Sequence, residues 1–77
     1  MATMSTTQRI NLYGVKCPLN WAKAKVRLEI LDQGDVLEVF IDDPKGRRDI
    51  PRAAEAEGYV IVTIDEIADG WCIAIEK

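Results

Sequence analysis

The residue pattern predicts an α/β (α+β) two-layer sandwich of order βαβαββ, a four-stranded mixed sheet with two helices on one face. Three observations point there. Four short segments alternate in hydropathy as strands do, and two other segments place apolar residues at helical spacing. Glycines, prolines and an Asp-Gly pair punctuate the joins. Right-handed crossovers then put both helices on the same side of the sheet.

Taken in order, Gln8 to Tyr13 alternates Ile10 and Leu12 with Arg9, Asn11 and Tyr13, a half-buried strand that Gly14 interrupts. Pro18 to Gln33 is rich in helix formers. Trp21, Ala24, Leu28 and Leu31 repeat along one face, and Gly34 stands where a left-handed stop is expected. Val36 to Asp42 reads as the second strand. Asp43-Pro44-Lys45-Gly46 has turn chemistry, and a short helix with Ile50, Ala53 and Ala54 on its inner face follows. Because an interior proline costs about 3 kcal/mol, Pro51 is expected in that helix's first turn, with Asp49 as N-cap. Gly58 ends it. Tyr59 to Asp65 and Trp71 to Glu76 are the last two strands, joined through Asp69-Gly70.

Strict alternation turns Leu37, Val39, Ile41, Val60, Val62, Ile64, Trp71, Ile73 and Ile75 toward the helices. Val36, Glu38, Phe40, Tyr59, Ile61, Thr63, Cys72 and Ala74 are left on the open face. That set reads either as a greasy solvent face or as a docking or dimer surface.

With 77 residues there is room for one domain, expected over residues 8–77 behind a flexible tail at 1–7. Such a domain buries roughly 60% of its unfolded surface, too little for a deep cofactor cavity. No cofactor and no metal are expected. The balance of 13 acidic against 10 basic residues argues against nonspecific nucleic-acid binding. The N-terminal residues have neither the charge nor the apolar run of a signal peptide, and no stretch is long enough to span a bilayer. The expectation is a cytoplasmic protein with no membrane partner.

Histidine is absent, which removes Cys-His and Ser-His-Asp catalysis and the commonest metal ligand. The two cysteines, Cys17 and Cys72, form neither a CxxC pair nor a zinc pattern. Pro18 after Cys17 suits the first helical position, so Cys17 is expected at the N-cap. There a thiolate would meet unpaired backbone amides and the positive end of the helix dipole, with Lys16 adjacent, and its pKa should fall. Gly14 sets up the turn that leaves the sulfur at the rim. An exposed thiolate without base or metal suits sulfur transfer. Spacing alone leaves the plain reading, a capping residue or small hydrophobe, equally open.

The stretch Gly14-Val15-Lys16-Cys17-Pro18-Leu19, then Gly34, Asp42-Asp43-Pro44, Asp49-Ile50-Pro51 and Gly58, resembles the TusA (SirA-like) sulfur-carrier family from about Ile10 to Lys77. The resemblance implies a persulfide on Cys17; the residues themselves make Gly14, Lys16, Pro18 and Asn20 the expected supports around it. It also implies a sulfur-donor protein, either a cysteine desulfurase or rhodanese-like, and an acceptor protein in tRNA thiolation, molybdenum-cofactor enzymes or sulfur oxidation. The family motif is usually Cys-Pro-x-Pro, whereas Asn20 stands in the last place here. Asn11 and Tyr13 likewise replace an acidic and a basic residue near the motif glycine. At N3, Asn20 is expected to reach back to the Cys17 backbone as in a capping box.

The remaining candidates have structural readings beside the functional ones. Asp42, Asp43 and Asp49 read as turn and cap residues rather than a metal or acid–base cluster. Lys45, Arg47, Arg48 and Arg52 form a basic patch that suits a solvated face, an acidic partner or an RNA backbone. Within the resemblance, Arg47 and Arg48, with Lys23, mark a docking rim. Cys72 reads as a bystander on the open face. The alternatives to a sulfur carrier are a non-catalytic regulatory or binding module using that face, and an RNA-contacting domain using the basic patch.

Overall fold

The computed structural model of the protein describes residues 6–77 and gives the order β1 (Thr7–Asn11), α1 (Leu19–Glu29), β2 (Val36–Ile41), α2 (Pro44–Ala56), β3 (Val60–Ile67) and β4 (Gly70–Glu76). The strands form one sheet in the order β1-β2-β4-β3. β1 runs parallel to β2, while β4 is antiparallel to both β2 and β3. This is the mixed four-stranded sheet with two helices that the sequence predicts.

The core forms where the helices cover the sheet. Ala24, Leu28 and Leu31 come from α1 and the turn after it, and Ile50 and Ala54 from α2. They pack on Leu37, Val39, Ile41, Ile73 and Ile75, the inward residues of the two central strands. Fully burying each such aliphatic side chain contributes about 1.5–3 kcal/mol. At the rim of this core Trp21 meets Tyr59 edge-on, with ring centroids 6.5 Å apart. No helix among the described residues is long and apolar enough to cross a membrane.

Several boundaries differ from the sequence reading. The first five residues of the expected tail lie outside the described residues. Thr7 already pairs with Val36, and the Thr6 N–H donates to Asp35 Oδ1 at 2.9 Å. Asp35 is buried, and its carboxylate also accepts from the Asp32 N–H at 3.1 Å, which ties the turn after α1 to the start of β1. α1 stops at Glu29 rather than Gln33. The Leu31 N–H closes on the Leu28 carbonyl, and Gly34, at φ 92°, donates to the Lys77 carbonyl instead of capping the helix.

α2 starts early. Asp43, not Asp49, is its N-cap, its side chain accepting from the Lys45 N–H at 3.1 Å, and Pro44 takes the first helical position. Pro51 therefore lies inside the helix. Burial of Ile50 and Ala54 against the sheet outweighs the lost hydrogen bond.

The open face also changes composition. The register between β3 and β4 slips between Ile61 and Thr63, a bulge that reverses the alternation at Val62. Ile61 lies opposite Ile75 and packs against the core, as does Tyr59, while Val60 and Val62 are exposed. Phe40 and Cys72 stand opposite each other on the open face. Beside them lie the Arg9–Glu38 ion pair at 2.7 Å, Asp65 and Glu76. That face is more polar than alternation alone suggests.

Candidate functional site

Because β1 and β2 are parallel neighbours, the loops leaving their C-terminal ends emerge side by side. One carries Tyr13 to Pro18 and the other carries Asp42 and Asp43. Asn11 Oδ1 accepts the Tyr13 N–H at 2.9 Å and starts the first loop as an Asx turn. Gly14 turns the chain at φ 82° and donates its N–H to Asp42 Oδ1 at 2.9 Å. Two residues after the Val15 N–H closes on the Leu12 carbonyl, the Cys17 N–H donates to Asp43 Oδ2 at 2.7 Å. Gly14, Lys16, Asp42, Asp43 and Pro44 line a small cleft there of about 210 Å³.

Asp43 thus does two jobs with one carboxylate: it caps α2 and fixes the backbone of Cys17. Its pKa is held below the usual carboxylate range, chiefly by the Cys17 N–H, with the Lys45 N–H adding to the effect. The Cys17 thiol is half-buried and donates to Asp49 Oδ2 at 3.9 Å. Asp49 Oδ1 is held by Arg48 Nε at 3.0 Å.

Cys17 does not have the environment expected from its place before a helix. Pro18, rather than Cys17, occupies the N-cap, across a cis Cys17–Pro18 peptide. Three amides at the start of the helix are already taken: Asn20 N–H by the Lys16 carbonyl, Trp21 N–H by Asn20 Oδ1 and Ala22 N–H by the Pro18 carbonyl. Burial pushes the thiol's pKa up, and the charges of Asp49 and Asp43 push it further, against a smaller opposing pull from Lys45. The expected fall in pKa is therefore reversed.

Asn20 is fully buried and turns away from Cys17. Its Nδ2 donates to the Val15 carbonyl at 3.4 Å while Oδ1 caps Trp21 at 2.7 Å, so the predicted reach back to the Cys17 backbone is replaced by a brace across the loop. Gly46 in α2 packs against it so closely that a Cβ there would collide with the Asn20 amide.

Lys16 is exposed one residue before Cys17, where its charge bears on Asp43, and Lys23 is exposed on α1, one turn along from Leu19. Arg47 and Arg48 lie within α2 rather than before it. Cys72 sits on the opposite sheet face, where burial and then the charges of Glu38 and Asp65 push its thiol up. The sequence reading missed a ridge on α1. Leu19, Val26 and Ile30 are 55%, 63% and 73% exposed, and a groove of about 460 Å³ opens between Ala22, Lys23 and Val26 of α1 and Ile10 to Leu12. Their helical spacing was visible, but nothing in it said that this face would stay uncovered.

The family model described as Sulfurtransferase TusA matches residues 8–77. The chain belongs to the TusA family. TusA relatives that carry the description "Putative sulfur carrier protein" span most of its length. One from Thermotoga maritima is 30% identical over 77 residues, covering 99% of this chain and 98% of its own. Another from Methanocaldococcus jannaschii is 34% identical over 70 residues, 91% of this chain and 93% of its own. A third, from Archaeoglobus fulgidus, is 32% identical over 69 residues, 88% and 78% respectively. Among solved structures, a SirA-like protein from Desulfitobacterium hafniense superposes with a TM-score of 0.74 at 27% identity, covering 90% of this TusA chain and 93% of that one.

Proposed function

We propose that this TusA-family chain is a sulfur carrier that takes sulfane sulfur onto Cys17 as a persulfide and hands it to an acceptor protein. The observation that carries the reading is a half-buried, free Cys17 in the loop at the C-terminal ends of the parallel strands, its backbone fixed by Asp43. A carrier needs a nucleophilic sulfur that a second protein can approach, held in one place, and no deep pocket. Gly14, Lys16, Pro18 and Asn20 serve that geometry through the turn, the adjacent charge, the helix entry and the brace beneath it.

A donor of cysteine desulfurase or rhodanese type, and the acceptor, would meet the surface around Cys17. Support comes from the apolar ridge that begins at Leu19, two residues beyond the thiol, and from the cations Lys23, Arg47 and Arg48. An uncovered apolar ridge on a small domain is what a transient docking surface offers. The raised thiol pKa suits such a carrier, because a protonated sulfur stays inert until a donor is docked. A reducing cytoplasm is the compartment this chemistry calls for.

The test is a relay in two steps. The protein is incubated with cysteine and a cysteine desulfurase, or with thiosulfate and a rhodanese, and its intact mass is measured. A gain of one sulfur, removed by reductant and absent in Cys17→Ser, supports the reading. Unchanged mass with both donors would shift the protein to a binding module.

A further inference from the structure

Asp49 has no structural task of the kind the sequence assigned to it, since Asp43 caps α2. Its carboxylate instead bridges two side chains: Oδ1 is held by Arg48 Nε at 3.0 Å, and Oδ2 accepts from the Cys17 thiol at 3.9 Å. The other carboxylates near the sulfur are engaged with backbone. Asp43 accepts the Cys17 and Lys45 N–H groups, and Asp42 accepts the Gly14 N–H. With no histidine in the chain, Asp49 is the group left with an oxygen directed at Sγ.

We propose that Asp49 is the proton acceptor for the Cys17 thiol during sulfur transfer, with Arg48 as the residue that positions its carboxylate. This rests on the persulfide reading above. With a donor persulfide R–S–SH, the Cys17 S–H bond breaks and its proton passes to Asp49 Oδ2 as Sγ attacks the terminal sulfur. A new S–S bond forms to Cys17, the R–S bond to that sulfur breaks, and the leaving R–S⁻ collects the proton. The products are Cys17–S–SH and R–SH. One sulfane sulfur moves, and no outside oxidant or reductant is needed. A carboxylate beside a thiol otherwise only hinders its ionisation; here it also gives the proton somewhere to go as the bond forms.

Those two roles have opposite signatures. The charged groups acting on the thiol are Asp43 at the N-cap of α2 and Asp49, Lys45 and Arg48 within it, while Lys16 from the thiol's own loop acts on Asp43. In a Cys72→Ser background, iodoacetamide alkylation of Cys17 across pH reports ionisation, and single-turnover sulfur uptake from glutathione persulfide reports transfer. Asp49→Asn should move the alkylation profile to lower pH and speed alkylation at neutral pH. The same variant should slow sulfur uptake by roughly 10²-fold, the lower end for a lost general base. Asp49→Glu, which keeps a carboxylate, should recover much of the uptake. Asp65→Asn, on the far face, should change neither rate. Uptake by Asp49→Asn as fast as the parent, or faster in step with its alkylation, would overturn the proposal. So would a folded Asp49→Glu no better than Asp49→Asn. Failure of the parent to take up sulfur, or uptake by Cys17→Ser, would instead remove the persulfide reading and this proposal with it.

Discussion

Asp43 holds Cys17: its Oδ2 accepts the Cys17 amide at 2.7 Å while its Oδ1 caps the second helix at Lys45. One carboxylate therefore joins the loop after β1 to the start of α2. Asp43→Ala should free both, lowering the melting temperature by roughly 4–8 °C for the lost cap in a domain of this size. Thermal unfolding by circular dichroism measures it. An unchanged melting point would mean that neither bond matters to the fold.

The same clamp sets a pH dependence. Asp43 and Asp35 both titrate below the unfolded value of about 3.9, Asp43 chiefly through the Cys17 N–H and Asp35 chiefly through the Thr6 N–H. The unfolded chain then binds more protons, so these groups contribute stability above about pH 4 and lose it as pH falls through their folded values. Stability should be level near neutral pH and drop below about pH 4. Asp43→Asn should show a shallower drop in acid urea melts.

Asn20 and Gly46 are coupled. Asn20→Ala strands the Trp21 N–H and the Val15 carbonyl, at a cost of about 1–3 kcal/mol. Gly46→Ala drives a methyl group into the Asn20 amide, at a cost of about 1–3 kcal/mol. The double variant should cost less than the sum, because the small side chain at position 20 makes room for the methyl. Urea denaturation of all four proteins closes the cycle, and strict additivity would argue against the contact.

The bulge in β3 can be tested by exchanging exposure for burial. Val62→Asp should stay within about 0.5 kcal/mol of the parent, as exposed sites do. Ile61→Ala should cost about 1–3 kcal/mol, below the full core value because the side chain is partly buried. Unbroken alternation along the strand would give the reverse order.

Cys17 should be slow to alkylate when folded. Burial and the Asp49 and Asp43 charges raise its pKa, so in Cys72→Ser at about pH 8 the folded chain should react more slowly with iodoacetamide than the chain in urea. A faster folded reaction would restore the helix-activated thiolate that the sequence suggests.

The architecture was legible because it rests on local signals. Alternation marked β2 and β4, and helical spacing marked Ala24, Leu28 and Leu31. The place of Cys17 in the loop between β1 and α1 was legible for the same reason. What could not be read depends on which loops meet. That Asp43 would cap α2 and grip Cys17 follows from the parallel pairing of β1 and β2, not from its neighbours in the chain. Pro51 misplaced the second helix, because a local cost was overruled by the burial of Ile50 and Ala54. The bulge at Val62 carries no glycine to mark it. Asn20 looked like a cap for Cys17, yet tertiary packing turned it into a buried brace.

A persulfide carrier stands or falls with where the sulfur goes. The protein and its Cys17→Ser and Cys72→Ser variants are charged with a sulfane-sulfur donor, and the added sulfur is counted by cyanolysis and located by peptide mass spectrometry. The carrier assignment requires one sulfur on Cys17 in the parent and in Cys72→Ser, and none in Cys17→Ser. Sulfur found on Cys72, or equal loading without Cys17, would contradict it.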